Sequence, residues 1–362
     1  MKNNYSIIMA GGIGSRFWPI SKSAKPKQFL DILNVGKTLL QLTYDRLRRV
    51  CPAENIFIVA NTEYKEIIKE QLPQLNDNQI LCEPQRRNTA PCVAYASYKI
   101  AEINPDARLI VAPSDHLILK EDVFVKIITD ALEASSKEDC LLTLGIQPNR
   151  PDTGYGYIQA TDEAFAHSDQ LKKVKTFTEK PNLEMAKFFL QSGDFSWNSG
   201  IFIWSAKSII NSMEKNLPEI SNIFKEGKGI YNTPNEEAFI HKAYSECTNI
   251  SVDYGIMEKA KNVYVLPCDF GWTDLGTWGS VYEHLSKDEK GNASIGKNVK
   301  VYNSEGTIVN ISGGKLAVVN GLKNYIVVDS EDVLLICPKD DEQRIKLFVN
   351  DVSSDAKLKK FL

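Results

Sequence analysis

Short β-branched and aliphatic runs alternate with helix-length amphipathic stretches through the first 150 residues, and this alternation restricts the fold most. Ser6–Ala10 reads as a strand, followed by a long loop over Gly11–Pro26. Leu39, Leu40, Thr43, Tyr44, Leu47 and Val50 share one helical face. Asn55–Ala60 is a second strand, with Thr62 as N-cap of a helix running to Leu72. The spacing predicts a helix over Thr89–Ile103, a strand at Arg108–Ala112, a helix over Asp122–Ala134 and a strand at Leu141–Ile146. Strands that alternate with helices build β-α-β units, so an α/β fold with a mostly parallel sheet is expected. Ligands bind such sheets beyond the carboxyl ends of strands, which directs attention to the loops after Ala10 and Ala112.

The alternation loosens after Tyr155, with strands expected at Gly156–Ala160, Lys173–Thr178 and Gly200–Trp204. Helices are expected near Leu183–Gln191, Glu236–Ser245 and Val252–Lys259. Beyond Asp288 the texture becomes short Val/Ile runs punctuated by Asn and Gly, up to Pro338, with a helix around Asp341–Phe348. A chain of 362 residues suits about two domains. We expect them at 1–285 and 286–362, the second a small β domain with a terminal helix.

The net charge is −3, so no basic excess points to nucleic acid or a membrane surface. Apolar runs such as Val333–Cys337 are far shorter than the ~20 residues of a membrane span, and the start of the chain lacks a signal-peptide pattern. The seven cysteines are odd in number and form no C-x-x-C pair, which fits reduced, mostly buried thiols in a cytoplasmic protein. The four histidines lie far apart, without zinc-ligand spacing.

Chemistry concentrates first in Met9-Ala10-Gly11-Gly12-Ile13-Gly14-Ser15-Arg16. Glycines after a strand bring backbone N–H groups close to a phosphate, although alone they could be a tight turn. A dinucleotide fingerprint fails because Phe17 holds the third glycine position, and Gly36-Lys37-Thr38 fails as a P-loop because Asp31 stands where glycine is needed. Arg16 and the following Lys25-Pro26-Lys27-Gln28-Phe29-Leu30 add cations suited to a triphosphate.

Ala-Gly-Gly-x-Gly-x-Arg followed by Pro-Lys-Gln-Phe resembles the sugar nucleotidyltransferases, in particular the mannose-1-phosphate guanylyltransferases. The resemblance continues through Glu83-Pro84-x-x-Arg87-Asn88-Thr89-Ala90-Pro91, Pro113-Ser114-Asp115-His116 and Thr153-Gly154-Tyr155-Gly156-Tyr157-Ile158. It extends to Glu179-Lys180-Pro181, Trp197-Asn198-Ser199-Gly200, Asp253-Tyr254-x-x-Met257-Glu258-Lys259 and Gly271-Trp272-Thr273-Asp274-Leu275-Gly276. It implies a Rossmann-like nucleotide-diphospho-sugar transferase domain with a small, β-helix-like C-terminal β domain. The implied reaction converts GTP and mannose 1-phosphate into GDP-mannose and pyrophosphate with Mg²⁺. A phosphate monoester with a second pKa of about 6 is ionised at pH 7, so no general base is required.

By the same resemblance, Asp115 and Asp274 hold Mg²⁺, while Arg16 and Lys27 are the catalytic cations on the β- and γ-phosphates. Taken alone, Asp115 could be an Asx turn or N-cap and Asp274 a turn residue. Lys25 ranks below the other cations, as a solvated charge. Ala10, Gly11, Gly12 and Gly14 would meet the nucleotide through backbone, with Glu83, Arg87, Asn88 and Thr89 around base and ribose. Glu83 can accept from guanine N1–H and the 2-amino group, or be a rim carboxylate; Asn88 or Thr89 can also cap the next helix. The sugar phosphate would meet Gly154, Gly156, Glu179, Lys180, Asn198 and Asp253, with helix capping as the other reading of Asp253. Trp197, Trp204 and Trp272 read as core or pocket lining, and Met257-Glu258-Lys259 as a packing face with solvated charges.

Rival readings are guanylyl transfer to a heptose phosphate, thymidylyl or uridylyl transfer to glucose 1-phosphate, and a non-catalytic sugar-nucleotide sensor. The intact cations and carboxylates oppose the sensor. The resemblance also implies that the C-terminal segment contributes to subunit contact, as in a homodimer. The length suits a short, single-activity form without an additional isomerase domain.

Overall fold

Apolar runs with no polar alternation belong to strands covered on both faces. Ile7, Ile8, Ile58, Val59, Ile110 and Val111 accordingly lie in the interior. The computed structural model describes residues 1–12, 14–165 and 168–362; Ile13 of the glycine-rich motif and His167 lie outside them. Two compact units form. The first contains Met1–Gly11, Thr43–Ser114 and Ile118–Trp272, the second Gly12–Leu42, Asp115–Leu117 and Thr273–Leu362.

The first unit is built on a sheet of β1 (Asn4–Met9), β2 (Ile56–Asn61), β3 (Ile80–Glu83), β4 (Arg108–Pro113) and β5 (Leu141–Ile146). Four longer-range members follow: β6 (Tyr157–Phe165), β7 (Ser168–Thr178), β8 (Phe195–Ser205) and β9 (Val263–Cys268). Their order is β3-β2-β1-β4-β8-β5-β9-β7-β6. β3, β2, β1 and β4 run parallel, as do β5 and β9, and β8 is inserted antiparallel between β4 and β5. The Rossmann-like α/β architecture expected from the sequence is present.

Helices over Thr89–Ile103 and Glu121–Ser135 lie close to the predicted positions. Two helices at Ala206–Asn216 and Pro218–Lys225 escaped the sequence reading, the first capped by Ser205 and the second opened by Pro218. Thr62 is not the cap of the helix after β2. Asn61 accepts from Glu63 N–H instead, and a 3₁₀ turn at Thr62–Tyr64 precedes the helix Lys65–Gln71. The helix expected over Val252–Lys259 is a π turn at Asp253–Met257.

In the second unit, β10 (Ala293–Ile295), β11 (Asn298–Tyr302), β12 (Ile308–Ile311), β13 (Leu316–Asn320), β14 (Tyr325–Ser330) and β15 (Val333–Pro338) coil into two sheets, β10-β12-β14-β15 and β11-β13. Parallel register pairs Ala293 with Ile308 and Ile308 with Ile326, and separately Asn298 with Leu316, as a β-helix-like winding requires. The chain closes with a 3₁₀ segment Lys339–Arg344 and a helix Ile345–Ser354. Besides this β segment, the unit includes the Gly12–Leu42 loop, and Phe17, Trp18, Leu275, Trp278, Ile326 and Ile345 share its core.

All seven cysteines are free, five of them buried. Among the described residues no helix is long and apolar enough to cross a membrane. In the first unit Lys99, its side chain only 4% exposed, donates to both oxygens of Glu236 at 2.7 and 2.6 Å. Glu236 also accepts from Tyr95 Oη and Asn232 N–H. Replacing it strands a buried ammonium, so Glu236→Ala should lower unfolding free energy by about 3–5 kcal/mol in urea denaturation. A loss below about 1 kcal/mol would count against this pair as a core element.

Candidate functional site

Three clusters carry the polar chemistry. In the second unit, Gly14, Arg16, Lys27, Asp115, Asp274, Gly276 and Lys346 line a cavity of about 260 Å³. Lys27 is almost wholly buried, at 6% side-chain exposure. Its ammonium donates to Asp115 Oδ2 and the Asp274 carbonyl, both at 2.8 Å, and to the Leu275 carbonyl at 3.3 Å. It also lies 5.8 Å from the centre of the Phe17 ring. Gly14 is left-handed at φ 63, and a Cβ there would stand 2.5 Å from Lys27 Cβ, so glycine permits this close approach. Leu275, at φ 45, is a left-handed non-glycine residue beside the same lysine. Arg16 Nη1 donates to the Gly276 carbonyl at 3.4 Å, and its buried Nε has no partner among the described residues.

Burial alone would raise the Asp115 carboxyl, but Lys27, His116 and its hydrogen bonds together hold it below its ordinary pKa. Asp274 Oδ1 accepts from Gly276 N–H at 3.0 Å, so this residue also closes a turn. Two carboxylates on one cavity suit a hard divalent ion that draws its other ligands from water and phosphate oxygens. Among the described residues no group of three or more His, Cys, Asp or Glu side chains is arranged for a metal, so the protein would supply only part of the ligand set. Lys25 is exposed and does not line the cavity.

In the first unit Glu83 ends β3, where its carboxyl is 7% exposed by residue. Tyr244 Oη donates to Oε1 at 2.9 Å, while a Cβ on Gly11 would lie 3.9 Å from Oε2. Burial pushes the Glu83 pKa up to about 7, against the Tyr244 hydrogen bond and the Arg86 charge. Arg87 turns its Nε to the Tyr244 carbonyl at 3.0 Å and its Nη2 to Gln85. Asn88 (φ 66) caps the following helix, accepting from Thr89 N–H, and Thr89 Oγ1 accepts from Val252 N–H at 2.9 Å. Ala10 donates its N–H to the Val59 carbonyl, and Gly12 is exposed in the second unit.

The third cluster, also in the first unit, joins Gly156, Glu179, Lys180, Asn198 and Asp253. Asn198 Nδ2 donates to Asp253 Oδ1 at 2.9 Å, while its Oδ1 accepts from Thr143 and from Gly200 N–H. One Nδ2 hydrogen remains for a ligand. Lys180 (φ 47) pairs with Glu179 Oε1, and Glu179 Oε2 is buried with no partner among the described residues. A Cβ on Gly156 would fall 2.5 Å from that orphaned oxygen. Burial, then the charge of Glu179, raises the Asp253 pKa. Asp253 is held by Asn198 rather than serving as a side-chain helix cap.

Gly154 stands apart from this cluster in its hydrogen bonding, its N–H held by Asp152 Oδ1. Trp204 is core, Trp197 is buried beneath Tyr155 and Arg150, and Trp272 packs on Tyr155. Glu258 is an exposed charge beside the buried Met257, as its motif suggests, and its Oε1 in addition accepts from Glu179 N–H at 3.0 Å, a tie the sequence does not mark. Sequence reasoning also missed Tyr244, which no motif marks.

A model of the nucleotidyl transferase family matches residues 5–291, and the chain belongs to that family. More particularly, it is 37% identical over 345 residues to the mannose-1-phosphate guanylyltransferase of Klebsiella pneumoniae, covering 94% of this chain and 72% of that protein. A protein of the same description from Escherichia coli K12 is 34% identical over 364 residues, with 98% and 74% covered. A solved structure from Thermus thermophilus, described as a mannose-1-phosphate geranyltransferase, superposes with a TM-score of 0.85 at 28% identity, covering 97% of this chain and 99% of that one.

Glu83 has a testable signature in stability. With its folded pKa raised to about 7, the folded chain binds more protons here than the unfolded chain between pH 4.5 and 7. Its contribution to stability is complete below the unfolded value and is lost as pH rises through about 7. Wild-type stability should therefore fall relative to Glu83→Gln between about pH 5 and 8, read as the difference in urea midpoints. A pH-independent difference would contradict the assignment.

Proposed function

We propose that this nucleotidyltransferase moves GMP from GTP to α-D-mannose 1-phosphate, giving GDP-mannose and pyrophosphate. The observation that carries the reading is the convergence of Arg16, Lys27, Asp115 and Asp274, remote in sequence, on one cavity. Relatives described as mannose-1-phosphate guanylyltransferases support the choice of nucleotide and sugar.

The sugar phosphate attacks already ionised, so the chain has to position and neutralise rather than remove a proton. Arg16 faces the cavity with donors to spare, suited to the β- and γ-phosphates. Lys27 already spends its three donors, so it meets phosphate by exchanging one carbonyl contact while keeping Asp115 ionised. Asp115 and Asp274 would hold Mg²⁺, which when bound neutralises phosphate charge. Glu83, with Tyr244 fixing Oε1, would accept from the guanine edge, with Ala10, Gly11, Gly12 and Gly14 lending backbone and Arg87, Asn88 and Thr89 shaping the loop. Glu179 Oε2 and Asp253 suit sugar hydroxyls, Lys180 the sugar phosphate, and Asn198 holds Asp253 while keeping one donor free. Gly154 and Gly156 would let backbone approach the ring. Homodimer formation belongs to the same reading and rests on the resemblance alone, while a cytoplasmic location rests on the seven unpaired cysteines.

Purified chain should release pyrophosphate from GTP plus mannose 1-phosphate with Mg²⁺, and a competition panel with glucose and heptose phosphates and other nucleotides should favour this pair. Asp115→Asn and Asp274→Asn should each cut kcat at least about a hundredfold while nucleotide binding persists. Absence of pyrophosphate release from the wild type, or unimpaired variants, would refute the reading. Gly156→Ala should raise the KM for mannose 1-phosphate at least about tenfold with the KM for GTP within twofold, because the added methyl meets Glu179 Oε2. An unchanged sugar-phosphate KM would remove this cluster from the sugar site.

A further inference from the structure

Lys346 lies on the C-terminal helix Ile345–Ser354, far in sequence from every motif of the site, yet it lines the same cavity as Arg16, Lys27, Asp115 and Asp274. Its position is fixed from several sides. The helix packs on the Ser15–Phe17 turn that carries Arg16, and the neighbouring Ile345 is wholly buried in the core of the second unit. One turn earlier, Glu342 Oε2 accepts from Gly279 N–H at 2.7 Å. Further on, the Phe361 carbonyl accepts from Trp18 Nε1 at 3.0 Å, tying the end of the chain to the same loop.

The charge around Lys346 is unbalanced. Among the described residues its ammonium makes no ion pair, and the charge that acts on it is that of Arg16. Burial and that neighbour push its pKa below the ordinary value. Arg16 in turn has one long hydrogen bond to a carbonyl and an unpartnered buried Nε. Asp115 is committed to Lys27, and Asp274 Oδ1 to the Gly276 N–H. Two cations facing one cavity with no carboxylate of their own are stabilised when an anion enters between them.

We infer that Lys346 and Arg16 form a clamp for the terminal phosphates of the nucleotide and for the pyrophosphate that leaves. The C-terminal helix thus contributes a binding residue to the reaction. The inference rests on the proposed pyrophosphate-releasing reaction for its substrate, but the anion site itself can be tested separately. No covalent step is assigned to Lys346; it binds charge that moves from the triphosphate onto the leaving group.

The test uses the full chain with Lys346→Ala, Lys346→Met, which keeps most of the aliphatic stem, and Lys346→Arg, which keeps the charge. Lys357→Ala, an exposed lysine of the same segment, is the control. The KM for GTP in the forward direction and for pyrophosphate in the reverse direction should rise about ten- to hundredfold in the Ala and Met variants. The KM for mannose 1-phosphate should stay within twofold, and Lys346→Arg should recover most of the loss. A merely structural lysine would move all three constants together and would not be rescued by charge. Calorimetric titration with Mg-pyrophosphate, without turnover, should show the same weakening. If the wild type turns over no sugar phosphate, the proposed reaction fails while this titration still decides the clamp. Equal pyrophosphate affinity in wild type and Lys346→Met would overturn it.

Discussion

The buried ammonium of Lys27 is the contact on which the second unit and its cavity depend. It gathers three stretches of chain, 12–42, 115–117 and 273–362, by donating to Asp115 Oδ2 and to the carbonyls of Asp274 and Leu275. An ammonium taken out of water costs several kcal/mol unless oxygen atoms replace its hydration. Here each of its three hydrogens finds one. Leu275 adopts a left-handed conformation beside it, a strain of about 1–3 kcal/mol for a non-glycine residue, and presents two successive carbonyls to one lysine. Burial alone would raise the Asp115 carboxyl, but the same ammonium, together with His116 and the hydrogen bonds at that carboxyl, holds its pKa below the ordinary value and keeps it charged.

The first unit uses carboxylates in the opposite sense. Glu83 is buried and Asp253 half-buried, each with too little positive charge nearby; burial raises both pKa values, and the charge of Glu179 raises that of Asp253 further. Glu179 places one oxygen on Lys180 and leaves the other buried without a partner. Such groups are strong acceptors for neutral donors, because a low-dielectric setting strengthens each hydrogen bond they receive. The proposed reaction needs this division. A guanine edge and sugar hydroxyls are neutral donors, whereas the triphosphate is the charged portion that requires cations and a metal. In that reaction Tyr244 and Asn198 would serve as positioning residues, each fixing one oxygen of a carboxylate.

The sequence made the parallel strands and their helices legible because they bury continuous apolar runs bounded by turns. Thr89–Ile103 and Leu141–Ile146 have the predicted limits. The misses share a cause, in that tertiary contacts decide them. Whether Asn61 or Thr62 caps depends on which oxygen meets the Glu63 N–H. The π turn at Asp253–Met257 sits where Thr89 Oγ1 holds the adjoining Val252 N–H, a tie between residues 163 apart that no local pattern reveals. Motifs singled out Arg16, Lys27, Asp115 and Asp274, and the fold brings those four to one cavity. Tyr244, Glu258 and Lys346 stand on helices or turns whose local sequence looks like ordinary packing and solvated charge, so only the tertiary structure assigns them partners or a cavity.

A chain of net charge −3 must hold a polyanion with few cations, and the cavity shows how narrow that margin is. Arg16, Lys27 and Lys346 face Asp115 and Asp274, leaving the lining with a net single positive charge when His116 is neutral. Without Lys346 the same lining would be neutral. A triphosphate brings several negative charges into this space, so side chains alone leave most of that charge uncompensated. Two carboxylates in such a site work against anion binding unless a divalent cation converts them into ligands. Their presence is therefore an electrostatic argument for metal-assisted binding, independent of any motif. It also explains why the C-terminal helix matters to the reaction: the one cation it contributes sets the sign of the cavity before the metal arrives.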